Sequence, residues 1–267
     1  YFTKETLGWK PAQWSGSTYN KPRTVKVKVV QTIKNNGVAQ ETVINITQNP
    51  GNVKKGATTL YQFGRKDAFP GVDAADLAAN SHFTENAGDY MSIENGILYP
   101  DNFYTYGSSW YSTPPTSYSY YNLWSADNTT TGFNDNSVVK TVYDPSPVGF
   151  KMPASNAFTG FTTTGQYSST QSELNVDGTT GWQAYHDNFG HNFWTSSSKT
   201  ATINFPASGY RRYNGGWLDT VGAGGWYWSA VPNGLGFGCH LSFSSAYVRP
   251  LDNYERAYGY AVRPVAE

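Results

Sequence analysis

Cysteine is nearly absent from this sequence, since Cys239 is the single one among 267 residues. One cysteine excludes an intrachain disulfide, a CxxC redox centre and a cysteine-based zinc site. The residues around it, FGCHL, are mostly small or apolar. We therefore expect Cys239 to be a small, buried apolar side chain.

Charge is also scarce and carries no net sign. Charged residues make up 14% of the chain, against about 25% in an average soluble domain. Lys plus Arg, at 19, equals Asp plus Glu, at 19. Without a net positive field to gather polyanions, we expect no nucleic-acid partner.

Long apolar runs are missing as well. No stretch of about 18 apolar residues occurs, so we expect no transmembrane segment in this chain. The chain also has neither an initiator Met nor the apolar region of a signal peptide. We interpret it as a processed chain or a fragment of a longer one, located outside the cytoplasm.

The first strand pattern lies near the start of the chain. Residues Thr24 to Val30 and Thr42 to Gln48 alternate apolar and polar side chains, with Asn35-Asn36-Gly37 between them. This pattern predicts an antiparallel hairpin. Two strands alone bury little apolar surface, so the hairpin must dock on another sheet. We predict an N-terminal region, residues 1–52, that forms the end of a β-sandwich-like domain, and a second domain at residues 53–267.

Aromatic residues, at 16% of the chain, dominate the second domain together with Gly, Asn and Ser. In the segment from Trp226 to Trp228, alternation places the two indoles on one face and Tyr227 on the other. Leu241 and Phe243 alternate likewise, and Tyr260 to Arg263 fits a closing strand of the same sheet. We expect one apolar sheet face to pack against a helix.

Helical signals are few and loops are long. Residues Asp73 to Asn80 and Pro153 to Phe161 predict two short helices, the second with Ser155 as its N-cap. Tyr99 to Asn136 forms a long polar and aromatic loop region, typical of segments that carry function or wrap a domain. The predicted fold class is α+β and β-rich, with short antiparallel strands, one or two short helices and long loops.

Three segments resemble a known family. They are YQFGRKDAFPG at Tyr61–Gly71, VYDPSPVGFKMP at Val142–Pro153, and the tail from Gly209 to Pro264, which contains GGWYWS and YAVRP. Their order and spacing resemble those of the Fibrobacter major paralogous domain. Ser146 stands where that family usually has Cys, and Phe150 where it usually has Trp.

The resemblance implies a C-type-lectin-like fold, which the formylglycine-generating enzymes share. It also implies a cell-surface location, because many family members occur in lipoproteins or fimbrillin-type pilus proteins of Bacteroides-like bacteria. Such a chain would be anchored to the outer membrane or associated with a pilus. Its expected partners are a glycan, a surface protein or other pilus subunits.

Two segments before predicted strands, Arg211–Asp219 and Asp252–Arg256, carry side chains suited to sugar binding. Aromatic rings match the apolar faces of sugars, while Arg, Asn and Asp bind their hydroxyl groups. The alternative is that these rings fill gaps in the core and the charges pair locally. The candidate ligand-binding residues are Arg211, Arg212, Tyr213, Asn214, Trp217, Asp219, Asn253, Tyr254 and Glu255.

Metal binding has weak support. The Glu-Pro-Asn or Gln-Pro-Asp and Trp-Asn-Asp motifs of a calcium-dependent sugar site do not occur. We expect no cofactor, although loop oxygens could hold a structural Ca²⁺, and lone histidines in aromatic loops are more often hydrogen-bonded groups than ligands. The residues in question are Asp127, Asp135, Asp177, Asp187, His82, His186, His191 and His240.

We predict a non-catalytic adhesin or binding module for glycans or proteins, in which case it could be an accessory or tip subunit of a pilus. One alternative is a structural pilus subunit that assembles by strand exchange. Another is an enzyme on the same fold. Formylglycine-generating enzymes use two cysteines, which this chain cannot supply, whereas a hydrolase could work with two carboxylates alone.

Overall fold

The computed structural model of the protein describes residues 14–15, 18–19, 23–32, 39–48, 56–72, 84–88, 91, 93–105, 123–126, 131–178, 185, 189–234 and 236–267. The chain divides into two compact units, Tyr1–Lys55 and Gly56–Glu267. The described part is rich in β-strands and has few helices.

The described residues of the first unit form two antiparallel strand pairs. Strand β1 (Trp14–Ser15) pairs with β2 (Thr18–Tyr19). Strand β3 (Arg23–Thr32) pairs with β4 (Ala39–Gln48) along its whole length. The predicted pairing of Thr24–Val30 with Thr42–Gln48 is confirmed, while the predicted turn at Asn35–Gly37 lies outside the described residues. The prediction that residues 1–52 and 53–267 are separate domains stays a prediction.

The second unit is built from short strands joined by loops. Its described residues include one short α-helix, α1 (Ile93–Leu98), and two 3₁₀ helices, Ser155–Phe161 and Gln171–Glu173. In chain order the strands are β5 (Tyr61–Gln62), β6 (Phe150–Lys151), β7 (Gly190–Trp194), β8 (Thr202–Pro206), β9 (Tyr210–Arg211), β10 (Leu218–Asp219), β11 (Gly224–Asn233), β12 (Phe237–Ser244), β13 (Tyr247–Glu255), β14 (Gly259–Val262) and β15 (Val265–Ala266).

A seven-stranded sheet organises this unit. Its strand order is β10-β9-β14-β11-β12-β13, and β5 is the seventh strand, which pairs antiparallel with β14. Strands β11, β12 and β13 form an antiparallel meander, whereas β14 runs parallel to β11. The predicted closing strand is therefore present in the same sheet, and Arg263 follows its last residue, Val262.

Both faces of this sheet are buried. Tyr227, Leu241 and Phe243 belong to one core cluster, and Trp228 belongs to another on the opposite face. The alternation inferred from the sequence is confirmed, and Trp228 is fully buried. The expectation of a single apolar face packed on a helix is only partly correct, because a 3₁₀ helix packs against one face but both faces are apolar and buried.

Different elements cover the two faces. Phe158 of the first 3₁₀ helix, Phe193 of β7 and Phe205 of β8 cover the face of Phe243. Strands β7 and β8 form their own antiparallel pair. On the other face, Phe63 and Trp124 pack with Trp228. The sheet is thus the middle layer of the unit.

The predicted helices require one correction. The segment predicted as a helix from Pro153 to Phe161 forms the 3₁₀ helix Ser155–Phe161, whose N-cap is Ala154 and not Ser155. The Ser155 hydroxyl instead accepts a hydrogen bond from the backbone N–H of Asn134 and donates one to its carbonyl oxygen. The helix predicted at Asp73–Asn80 lies outside the described residues.

Two further expectations concern burial and membranes. Cys239 is fully buried, as expected, and burial raises the pKa of its thiol to about 12. A thiol that stays protonated is a poor nucleophile. Of the helices that the structure describes, none has both the length and the apolar character for crossing a bilayer.

Candidate binding surface

Arg211 anchors the loop between β9 and β10 to the interior of the second unit. This side chain is fully buried, and its guanidinium donates to the carbonyl oxygens of Pro70, Val72 and Gly216. It also forms an ion pair of 3.0 Å with Glu85. Arg211 was predicted to contact a ligand, but its polar atoms face the interior, so we remove it from the candidate site.

The backbone of the same loop needs a glycine. Gly216 has a φ of +76°, and a Cβ there would lie 1.8 Å from the carbonyl oxygen of Glu85. The N–H of Gly216 donates to the carbonyl oxygen of Arg212, and the N–H of Arg212 donates to that of Trp217. These bonds define a tight turn that presents Trp217.

Arg212 and Asp219 form the polar edge of this loop. Nε and an NH2 nitrogen of Arg212 donate to Oδ2 of Asp219 at 3.0 and 2.7 Å. This hydrogen bond raises the pKa of Arg212. The guanidinium carbon also lies 5.9 Å from the ring centre of Tyr210 and 5.7 Å from that of Trp217. Asp219 therefore positions Arg212 beside the exposed indole.

Tyr258 joins the two predicted segments. Its ring centre lies 5.0 Å from that of Tyr213 and 5.2 Å from that of Tyr254. The structure thus brings the loop after Arg211 and the end of β13 together into one surface. Sequence reasoning missed Tyr258. Its signal was the spacing in Tyr258-Gly-Tyr260, which places two tyrosines on one strand face.

Exposure separates the contact residues from the supports. Trp217 and Tyr254 are each 46% exposed, and Asn214 is exposed too. Tyr258 is only 8% exposed and packs beneath Tyr213 and Tyr254. We call this surface the aromatic rim and define it by Arg212, Tyr213, Asn214, Trp217, Tyr254 and Tyr258.

Asn253 and Glu255 flank the aromatic rim and are half-buried. Glu255 Oε2 is buried and has no hydrogen-bond partner among the described residues. Burial, followed by the nearby Glu255 carboxylate, raises the pKa of Tyr258. Burial also raises the pKa of Tyr210, so both phenols stay neutral at physiological pH.

Eight residues, four aspartates and four histidines, were considered as metal ligands. Those that the structure describes do not form a cluster. His191 and His240 are buried, whereas Asp135 and Asp177 are exposed. Within the described ranges, no three His, Cys, Asp or Glu side chains are grouped so as to hold a metal ion. The remaining candidates lie outside those ranges: His82, His186, Asp127 and Asp187.

A buried polar group lies beneath the aromatic rim, where His240 faces Asp252 across β12 and β13. Nε2 of His240 is 3.5 Å from Asp252 Oδ2, too far for a good hydrogen bond. Ser242 donates to the same oxygen at 2.8 Å, and Arg249 lies at 3.2 Å. Burial alone raises the pKa of Asp252, but His240, Ser242 and Arg249 outweigh it and hold that pKa well below its usual range.

This group lacks the arrangement of a nucleophilic site. The Ser242 hydroxyl hydrogen is directed to Asp252, whereas an activated serine donates to a basic histidine. The group therefore stabilises the sheet where β12 meets β13. The expectation that the chain is not an enzyme stays a prediction.

The comparisons with known proteins add one match. A family described as a domain of unknown function, DUF8237, matches residues 190–265, the part of the chain that holds the aromatic rim. No curated protein and no solved structure matches the chain. The resemblance to the Fibrobacter major paralogous domain and the C-type-lectin-like fold stay predictions.

Proposed function

We propose that the chain is a non-catalytic, adhesin-like binding module of the cell surface. Its aromatic rim binds the apolar face of a saccharide. The observation that carries this proposal is a pair of half-exposed rings, Trp217 and Tyr254. Tyr254 packs against the buried Tyr258, and Trp217 lies beside Arg212. Exposed rings that rest on a packed floor mark an interaction surface.

The chemistry of the aromatic rim suits a neutral sugar. An indole and a phenol present flat apolar faces for the C–H groups of a sugar ring. Arg212 and Asn214 supply donors beside them, and Asn214 also offers an acceptor. Because Asp219 already holds Arg212, little side-chain entropy is lost when a ligand binds.

The finer assignments rest on the three segments that resemble the Fibrobacter major paralogous domain. From them we propose a C-type-lectin-like fold and a location outside the cytoplasm, on a lipoprotein or a fimbrillin-type pilus. The structure supports the compatibility of those segments with one fold, since Tyr61 of the first segment pairs with Tyr260 of the third. Membrane attachment and cell-surface location are tested by fractionation of the native host.

A glycan array with the full chain tests the proposal, followed by titration of the best neutral glycan. We expect Trp217→Ala and Tyr254→Ala each to weaken binding at least tenfold, which corresponds to about 1.4 kcal/mol. Tyr167→Ala is the matched control, because Tyr167 is 51% exposed but packs beside Tyr247, away from Tyr258. A blank array with folded protein, or wild-type affinity in both rim variants, would contradict the proposal.

One observation favours a second candidate, a structural subunit that assembles by strand exchange. Among the strands that the structure describes, β3 and β4 pair only with each other. Both outer edges of such a hairpin can accept a further strand. We expect concentration-dependent oligomers in light scattering that an excess of a peptide with the sequence of residues 39–48 disrupts. A monomer at every concentration, unaffected by the peptide, would exclude this role.

A further inference from the structure

We infer that a second site, separate from the aromatic rim, binds a saccharide that carries a carboxylate, such as a uronic acid. The site is a cleft of about 800 Å³ between the 3₁₀ helix Ser155–Phe161, the β7–β8 hairpin and the segment after β14. This volume lies within the range of about 300 to 1,000 Å³ that is typical of small-molecule sites. None of the residues that line it belongs to the aromatic rim.

Aromatic side chains form the floor and one wall of the cleft. Phe161 is half-buried and stacks on Phe193, with ring centres 3.9 Å apart and planes 9° apart. Trp194 is also half-buried, and its Nε1 donates to the carbonyl oxygen of Val176 at 2.9 Å. Both rings are therefore fixed before any ligand arrives, and each keeps an exposed portion for the apolar face of a sugar.

Hydroxyl and amide groups surround these rings. Thr163, Thr195, Ser196 and Ser197 line the cleft and are exposed to solvent. Asn175 lines it too, and its Nδ2 is anchored on the carbonyl oxygen of Gly160. Small hydroxyl groups that both donate and accept are suited to a ligand with many hydroxyl groups of its own.

The cleft is cationic. Lys199 and Arg263 line it, and no Asp or Glu is among its lining residues. The guanidinium carbon of Arg263 lies 5.3 Å from the ring centre of Phe205. Among the residues described, no carboxylate forms an ion pair with Arg263 or with Lys199.

Arg263 differs in this respect from the other arginines of the second unit. Arg65, Arg211, Arg212 and Arg249 each have a carboxylate partner. Arg256 donates to the carbonyl oxygens of Phe237 and Gly234. A half-buried guanidinium that packs on a ring and has no carboxylate partner among the described residues retains donors for an anion, and its planar fork matches a carboxylate.

These features together select the ligand. Two cations without a lining carboxylate favour an anionic ligand, the aromatic floor favours a ring with apolar faces, and the hydroxyl groups favour a polyol. A sugar acid combines all three. Arg263 directly follows β14, whereas Tyr258 of the aromatic rim directly precedes it, so the two sites lie at opposite ends of one strand.

Calorimetric titration of the full chain with tetragalacturonate tests this inference, with the fully methyl-esterified tetramer as the neutral counterpart. We expect the acid to bind at least tenfold more tightly than the ester, and its affinity to fall as salt increases. Arg263→Gln should weaken binding of the acid at least tenfold and leave binding of the ester unchanged. Lys199→Asn should weaken binding of the acid several-fold. Asn is a suitable replacement because Lys199 has a φ of +52°, a conformation that Asn tolerates.

Three controls keep the outcomes separate. Thermal unfolding of each variant shows whether it is folded. Trp217→Ala should bind the acid like the wild type, so failure of the cleft and failure of the aromatic rim are distinguishable. A sulfated tetrasaccharide shows whether any anion suffices. Equal binding of acid and ester, tighter binding of the sulfated sugar, wild-type affinity in a folded Arg263→Gln chain, or binding of an acidic peptide in place of the sugar would overturn the inference.

Discussion

The two faces of the seven-stranded sheet are both aromatic, but they differ in chemistry. On one face, Phe193, Phe205 and Phe243 lie edge to face at 5.7 to 5.8 Å. On the other, Trp228 and Tyr260 pack at 4.3 Å, and the indole donates to the carbonyl oxygen of Tyr61. Phenylalanine is the commonest ring on the first face, whereas rings with a polar atom, from Trp228 to Tyr258, connect the second face to the surface.

This difference accounts for the position of the aromatic rim. From Trp228, the ring contacts continue through Tyr260 to Tyr258, at 5.3 Å, and on to the exposed Tyr254. The exposed Tyr254 is thus the outer end of a buried aromatic cluster. A binding surface supported by a core loses little entropy on binding, which favours affinity.

The largest expected effect comes from breaking the second face at its centre. Trp228→Ala removes a fully buried indole and its hydrogen bond to Tyr61, so we expect the free energy of unfolding to fall by about 3 to 5 kcal/mol. Urea denaturation followed by circular dichroism measures it. Tyr227→Phe, on the first face, is the control, since it keeps the ring and loses only the hydroxyl group that donates to the Pro206 carbonyl oxygen, at a cost of about 1 kcal/mol. A loss below about 1 kcal/mol for Trp228→Ala would show that this face is not a packed core.

The next effect separates a buried arginine from its exposed neighbour. Arg211→Met leaves the carbonyl oxygens of Pro70 and Val72 unpaired, so we expect a loss of about 3 kcal/mol. Arg212→Met removes a partly exposed ion pair with Asp219 and should cost less than about 1 kcal/mol. Equal losses in chemical denaturation would contradict the different roles that we assign to these adjacent residues.

A smaller effect concerns pH and the first face. His191 is buried beside Phe193 and Phe243, and burial lowers its pKa from 6.5 to about 4, against an opposing hydrogen bond to the Ser244 carbonyl oxygen. Between these values the unfolded chain binds more protons than the folded one. Stability is therefore complete above pH 6.5 and falls by up to about 3 kcal/mol as the pH decreases to 4.

Denaturation at several pH values, with His191→Gln for comparison, measures this contribution. In the variant, the free energy of unfolding should no longer fall through the contribution of His191 as the pH decreases from 6.5 to 4. Asp252 contributes in a lower window, because its ordinary pKa is 3.8 and its folded pKa is lower. Identical slopes for the wild type and the variant above pH 4 would show that His191 is not buried as a neutral ring.

Local periodicity predicted one hairpin and some strands of the seven-stranded sheet, but not the partners of those sheet strands. Alternation identified the pairing of β3 with β4, the two-sided character of β11 and the position of β14. The parallel contact of Tyr227 with Ala261 joins distant parts of the chain, which no local pattern encodes. The layer formed by β7 and β8 escaped prediction for the same reason, because the Phe side chains that mark it also occur in loops.

The candidate site was only partly predictable. The two segments were identified from their mixture of aromatic and polar residues, and Tyr258, which connects them, was missed. The sequence does not show that Arg211 is buried and Arg212 is not. The carbonyl oxygens that accept hydrogen bonds from Arg211 belong to Pro70 and Val72, far away in the chain. The sequence marked Arg263 only as part of the family pattern and as the end of a predicted strand, since its lack of a carboxylate partner becomes visible in three dimensions.

A crystal structure of the chain with the tightest neutral glycan from the array tests the central claim most directly. The account predicts a sugar ring within about 4 Å of the Trp217 or Tyr254 ring, with a hydroxyl group bonded to Arg212. Electron density for that sugar away from the aromatic rim, with Trp217 and Tyr254 both uncovered, would contradict it.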